Sequence, residues 1–153
     1  MTIFNTLTFG IALIGAILGI INTWFAYDKD RRVKLRVVPK FAFPVGGAEY
    51  MYPEKMISIE VVNLNSFPVT ISQIGFLLHG TKDRLVLTIP IIPDNKPFPR
   101  RLESRSSFAV YGMYPTEETR EKYKKIRCAF AETECGIITT GNSPALKSIL
   151  ASL

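Results

Sequence analysis

Two periodicities divide the chain. Residues 6–27 form a run of 22 positions without a charged side chain, dominated by Ile, Leu, Phe, Ala and Gly. At about 1.5 Å per helical residue this run covers about 33 Å, close to the roughly 30 Å of a bilayer's hydrocarbon layer. From Val33 onward the pattern alternates every second residue, the signature of half-buried strands. Val33, Leu35 and Val37 alternate with Lys34, Arg36 and Val38. Pro39 to Pro53, with Pro44-Val45-Gly46-Gly47, reads as loop. MISIEVVN (56–63) alternates again, LNSFP supplies turn residues, and VTISQIGFLL (69–78) follows. Its apolar phase runs through Val69 and Ile71, then slips to Ile74, Phe76 and Leu78, which predicts a bulge near 73–75.

HGTKD (79–83) reads as a turn and RLVLTIPI (84–91) as a strand that Pro90 and Pro93 end or push to an edge. DNKPFPRRLE (94–103) reads as a loop, and SSFAVYGM (106–113) as the fifth strand. PTEETREKYKK (115–125) predicts a short helix. Thr116 is its cap, acidic residues fill the first turn and basic residues the last, with pairs Glu118–Lys122 and Glu121–Lys125. IRCAFA and CGIITT predict a hairpin closing over Glu132-Thr133. The chain ends in NSPALKSILASL, where Ser143 as cap and Pro144 at the first helical position open an amphipathic helix. Its apolar stripe (Leu146, Ile149, Leu150, Leu153) suits docking on the strands better than lipid binding, since Lys147 is its one charge.

The expected fold is mainly β. An N-terminal transmembrane helix precedes a seven-stranded antiparallel sandwich, with a short helix between strands five and six and a C-terminal helix. The expected divisions are a tail (1–5), the transmembrane helix (6–27), a basic linker (28–32), the sandwich (33–141) and the C-terminal helix (142–153). The run VVNLNSFPVTI (61–71) resembles the junction of second and third strands in bacterial immunoglobulin-like modules. Across residues 33–141 the chain resembles small single-span prokaryotic membrane proteins of unknown function that carry such a domain. The resemblance implies an immunoglobulin-like fold and no activity. The chain departs from antibody-type domains in having no Cys…Trp…Cys, because its single tryptophan, Trp24, sits in the apolar run.

Charge refines the apolar run. A cleaved export signal needs a basic start and a small-residue cleavage site. Residues 1–5 carry no Lys or Arg, and the run ends in Trp24-Phe25-Ala26-Tyr27, aromatic residues suited to the membrane interface. The expectation is an uncleaved anchor. Lys29, Arg31, Arg32, Lys34 and Arg36 follow at once. Basic residues stay inside, so the sandwich should be cytoplasmic at the inner (plasma) membrane, with the N-terminus outside. The same five side chains can meet lipid headgroups at about 1 kcal/mol each, or serve only to set topology. Ala12, Gly15, Ala16, Gly19 and Thr23 are small and line one helical stripe, which suits either self-association or a passive tether. Asn22 is the most polar group within the run, which argues against an ion pathway of ionisable side chains.

Overall the chain has 19 Lys and Arg against 13 Asp and Glu, a net charge of +6 carried entirely after residue 27. That balance is compatible with nucleic acid, anionic lipid or nothing specific, and nucleic acid is not the expected partner. Arg100, Arg101 and Arg105, with Phe98 and Phe108 nearby, are candidate contacts for an anion or a partner, on a segment stiffened by prolines 90, 93, 97 and 99. His79 is the one histidine, read as a solvated turn residue. Cys128 and Cys135 have no metal-motif spacing, and the hairpin register would bury both as free thiols, diagonal neighbours on one face. No catalytic motif occurs, and no cofactor or metal is expected. The expected function is a membrane-anchored, non-enzymatic interaction module with a protein partner. The alternative is a membrane-active effector whose helix self-associates and whose sandwich acts as sensor.

Overall fold

The computed structural model describes residues 2–31, 33–43, 56–94 and 96–153. The loop at 44–47 and Arg32 lie outside the described residues. The chain divides into two units, Met1–Val33 and Lys34–Leu153.

The first unit is one helix, α1 (Thr2–Arg31). Within it Leu7–Tyr27 is long and apolar enough to cross a membrane, and none of that segment is buried. Its hydroxyls bond to the helix itself: Thr8 Oγ1 donates to the Phe4 carbonyl and Thr23 Oγ1 to the Gly19 carbonyl, each at 2.8 Å. Such back-bonding spares these two hydroxyls an unpaired donor in an apolar environment.

The second unit holds eight described strands in two antiparallel sheets. They are β1 (Leu35–Ala42), β2 (Met56–Asn63), β3 (Val69–Leu78), β4 (Arg84–Val86), β5 (Arg100–Leu102), β6 (Ser107–Met113), β7 (Ile126–Thr133) and β8 (Ile138–Gly141). One sheet has the order β1-β2-β6. The other has the order β4-β3-β7-β8, with β5 also on β3. Alternate residues of the two sheets make the core: Val37, Ile57, Ile59, Val61 and Val110 from one, Ile71, Ile74, Phe76 and Ile126 from the other. Helix α2 (Glu117–Lys124) connects β6 to β7, and α3 (Pro144–Ser152) follows β8.

Several expectations are corrected. β1 runs through Pro39 to Ala42, with Pro39 opposite Ile59. Proline is tolerated there because β1 is an edge strand and Pro39's carbonyl points away from β2, to the Ser143 hydroxyl. A residue in an antiparallel ladder directs both backbone groups to the same side, so the missing N–H removes no bond to β2. The bulge in β3 lies at Ser72, one residue before the expected 73–75, between the pairs Ile71↔Thr133 and Gln73↔Glu132.

The expected strand 84–91 is only three residues long. After pairing with β3 it crosses to the other sheet, where Ile91 bridges to Tyr111 of β6. Pro90 and Pro93 forbid a continuous ladder here. The segment expected as loop then supplies an eighth strand, β5, on the same edge of β3.

The β7–β8 turn occupies 134–136, not 132–133. Gly136 takes φ +81°, its amide donates to the Thr133 carbonyl, and Thr133 Oγ1 accepts from the Ile137 amide. A type I turn closed by a left-handed glycine requires this register. Cys135 is therefore exposed in the turn and Cys128 half-buried, both free.

Thr116 stands at the α2 cap position without a side-chain cap bond. The ion pairs on α2 are Glu117–Arg120 and Glu121–Lys124, at i,i+3 instead of i,i+4. Ser143 does cap α3, accepting from the Leu146 amide at 3.1 Å. Leu146 and Ile149 are buried, each worth about 1.5–3 kcal/mol of transfer free energy.

Candidate functional site

Three surfaces carry the candidate residues. The first is the small-residue stripe of α1. Ala16, Gly19, Ile20, Thr23, Trp24 and Tyr27 line a shallow groove along one side of the helix. A Cβ built on Gly15 or Gly19 would meet nothing within 4 Å. The stripe is thus open to a lipid chain or to a second helix.

The second surface is basic. Lys34 and Arg36 are exposed, while Arg32 and the side chains of Lys29 and Arg31 lie outside the described residues. Lys34 is held by its backbone. Its amide donates to Asn65 Oδ1 at 2.9 Å, and its carbonyl accepts from Asn65 Nδ2 and the Leu64 amide. Asn65 in turn bonds to the fully buried Asn63, whose Nδ2 reaches the carbonyls of Phe67, Leu102 and Glu103. The two asparagines thereby tie the β2–β3 turn to the start of β1 and to the end of β5. By pattern alone Asn63 is the last residue of a strand and Asn65 an ordinary turn residue. The signal was the N-x-N spacing, but its partners are supplied by segments 30 and 40 residues away.

The third surface is the proline-rich segment between β4 and β6. Arg100 and Arg101 are neighbours on a strand and project to opposite sides. Arg100 forms a two-pronged pair with Asp94, at 2.8 and 2.6 Å, and stacks over the Phe108 ring at 4.4 Å. The guanidinium hydrogen bond holds the Asp94 carboxyl below its usual range. Phe98 leans on Phe108 with centroids 6.0 Å apart. Arg101 pairs with Glu103 at 2.9 Å. Arg105 is exposed in the following turn at φ +57°, and its guanidinium pairs with no carboxylate among the described residues. The structure therefore does not bring the three arginines to one anion site. It commits two of them to carboxylates and leaves Arg105 apart.

Sequence reading missed Ile89, which is 93% exposed beside a groove lined by Thr88, Pro90, Ile92, Lys96, Pro97 and Phe98. The sequence pattern reads 84–91 as a strand that Pro90 and Pro93 end or push to an edge. The flanking prolines end the pairing, and the phase argument ends with it.

His79 is exposed in the β3–β4 turn, where its backbone amide donates to the Lys125 carbonyl. Among the described residues no three His, Cys, Asp or Glu side chains gather as a metal site. The chain matches no protein-family model, and no curated protein matches its sequence.

Proposed function

We propose that the chain is a membrane-anchored, non-enzymatic interaction module. In this reading α1 is an uncleaved single-pass anchor in the inner membrane, with its N-terminus outside. An immunoglobulin-like sandwich works at the cytoplasmic face and binds a protein partner through the proline-rich segment. One observation carries the reading. Leu7–Tyr27 is wholly exposed, while the two-sheet unit buries its own core from its own strands. An apolar helix of this size without protein cover calls for lipid. The continuation of α1 past Tyr27 to Arg31 favours an anchor over a signal, because the aromatic end is helical and offers no small-residue cleavage site. Exposed Ile89 beside the 88–98 groove suits an apolar partner contact.

Membrane fractionation with mass measurement of the mature chain tests the anchor. The full-length chain should stay with membranes after an alkaline wash. A soluble product beginning after Tyr27 would sink the reading. Cys135, exposed in its turn, reports sidedness. An impermeant maleimide should label it only after the membrane is opened.

The effector reading is favoured by the open space at Gly15 and Gly19. Under it, replacing both by Ile should abolish oligomers and any toxicity. Under the anchor reading the double substitution changes neither localisation nor partner capture. Crosslinking in native membranes separates the two, since capture of a distinct protein supports the module and capture of the chain alone supports the effector.

A further inference from the structure

The strand registers place several turns of the two-sheet unit at one end or the other. Leu35 pairs with Asn63, Val62 with Ser107, Val69 with Leu102, Ile71 with Thr133 and Glu132 with Ile138. The start of β1 therefore shares an end with the β2–β3, β5–β6 and β7–β8 turns. The β3–β4 turn, residues 79–83, lies at the opposite end, about 30 Å away along β3. Side-chain hydrogen bonds cross-link the shared end. Asn65 clamps Lys34 by both backbone groups, and Ser104 Oγ donates to the Asn65 carbonyl at 3.1 Å.

What this end exposes is basic and apolar. Lys34 and Arg105 are exposed; Leu64 is 38% exposed and Ile137 40%. Glu103 pairs with Arg101, both two-thirds exposed, and Glu134 is a further exposed carboxylate at this end among the described residues. The covalent chain limits where the end can go. Tyr27 to Arg31 is one helical turn, about 6 Å, and three Cα steps from Arg31 to Lys34 add at most about 11 Å. Lys34 thus stays within about 17 Å of the apolar segment's end. The headgroup layer is roughly 5–8 Å thick, so Lys34 remains about one Debye length from its outer edge.

We propose that this end of the domain is a second membrane-contacting surface, specific for anionic lipid. Lys34 and Arg105 pair with headgroup phosphates, and Leu64 and Ile137 rest at headgroup level. The proposal rests on the anchor reading above. It adds that this end of the domain, and not the 79–83 end, carries the lipid contact.

The test uses the full chain, with both cysteines replaced by serine, in nanodiscs of phosphatidylcholine alone or mixed with phosphatidylglycerol. An environment-sensitive fluorophore is placed at Ser66→Cys in the β2–β3 turn or at Lys82→Cys in the far turn. Quenching by headgroup-labelled lipid is then measured. Quenching at position 66 should rise several-fold on adding phosphatidylglycerol, fall at high salt, and exceed that at position 82. The double substitution K34Q/R105Q, at two exposed side chains, should return it to the neutral-lipid value. Equal quenching in both lipids, or quenching unchanged in K34Q/R105Q, would show that the tether alone holds the end there and would overturn the proposal. Co-elution of chain and disc scores the anchor separately. Its failure sinks both readings, whereas co-elution with equal quenching sinks only this one.

Discussion

The α1 helix and the β3 strand are both rich in large apolar residues, yet the same side chain has opposite consequences in each. Phe25 in α1 is 67% exposed, whereas Phe76 in β3 is 1% exposed, packed between the two sheets. The difference lies in periodicity. A strand presents alternate residues to one side, so a second sheet can bury them and leave the rest to water. A helix that is apolar all round has no side to give to water, and within its own unit no neighbour covers it. Apolar content alone is therefore a poor guide to what holds a segment in place.

Substitutions can break that comparison, and the largest effect is expected in the core. Phe76→Ala should cost about 3–5 kcal/mol of unfolding free energy, while Phe25→Ala leaves unfolding of the two-sheet unit unchanged. Denaturant titration of the full chain in detergent, followed by the near-ultraviolet signal, checks both. Equal effects would mean that Phe25 is covered by protein.

Next comes the buried amide. Asn63→Ala removes the donor to the Phe67, Leu102 and Glu103 carbonyls and the acceptor of the Asn65 backbone and side-chain amides, and should cost about 2–3 kcal/mol. Faster hydrogen exchange at the Asn65 and Lys34 amides should accompany it. A loss below the measurement error would mean that water replaces the asparagine.

Arg105→Gly tests whether the exposed turn trades stability for contact. Removing a left-handed non-glycine residue should raise stability by about 1 kcal/mol. The same change should lower lipid-dependent quenching at position 66. A gain in stability with unchanged quenching would leave Arg105 without a role at the membrane.

The smallest effect concerns Asp94. Its carboxyl is held below the ordinary range by the Arg100 hydrogen bond. A depressed carboxylate contributes stability that is complete above its unfolded value and disappears as pH falls through the folded one. Carbon-detected NMR titration should find the Asp94 midpoint lowered in the native chain and restored by Arg100→Gln. The pair is exposed to solvent, so global stability at acid pH should barely move.

Much of the fold was legible locally. The uncharged run, the period-two strands, the slipped phase in β3 and the Ser143-Pro144 start of α3 each depend on neighbouring residues alone. Strand phase fails where pairing stops. At Ile89 the prolines end the ladder, so alternation no longer reports burial. The cysteine register failed differently. Two turn placements satisfy the same alternation, and Gly136, free to adopt positive φ, selects the later one. The arginines were legible as a cluster in sequence but not in space, because adjacent strand residues point apart and Asp94 reaches Arg100 across a loop.

By itself the sequence determined the positions of the apolar helix and most strands, because period and charge are properties of consecutive residues. It also determined the end of α3 that is capped, since cap and proline are neighbours. Only the tertiary structure decided which turns share an end with Lys34, which guanidiniums are neutralised, and that Asn63 and Asn65 are structural. Those outcomes depend on hydrogen bonds and charges between segments distant in the chain, where strand order and register choose the partners.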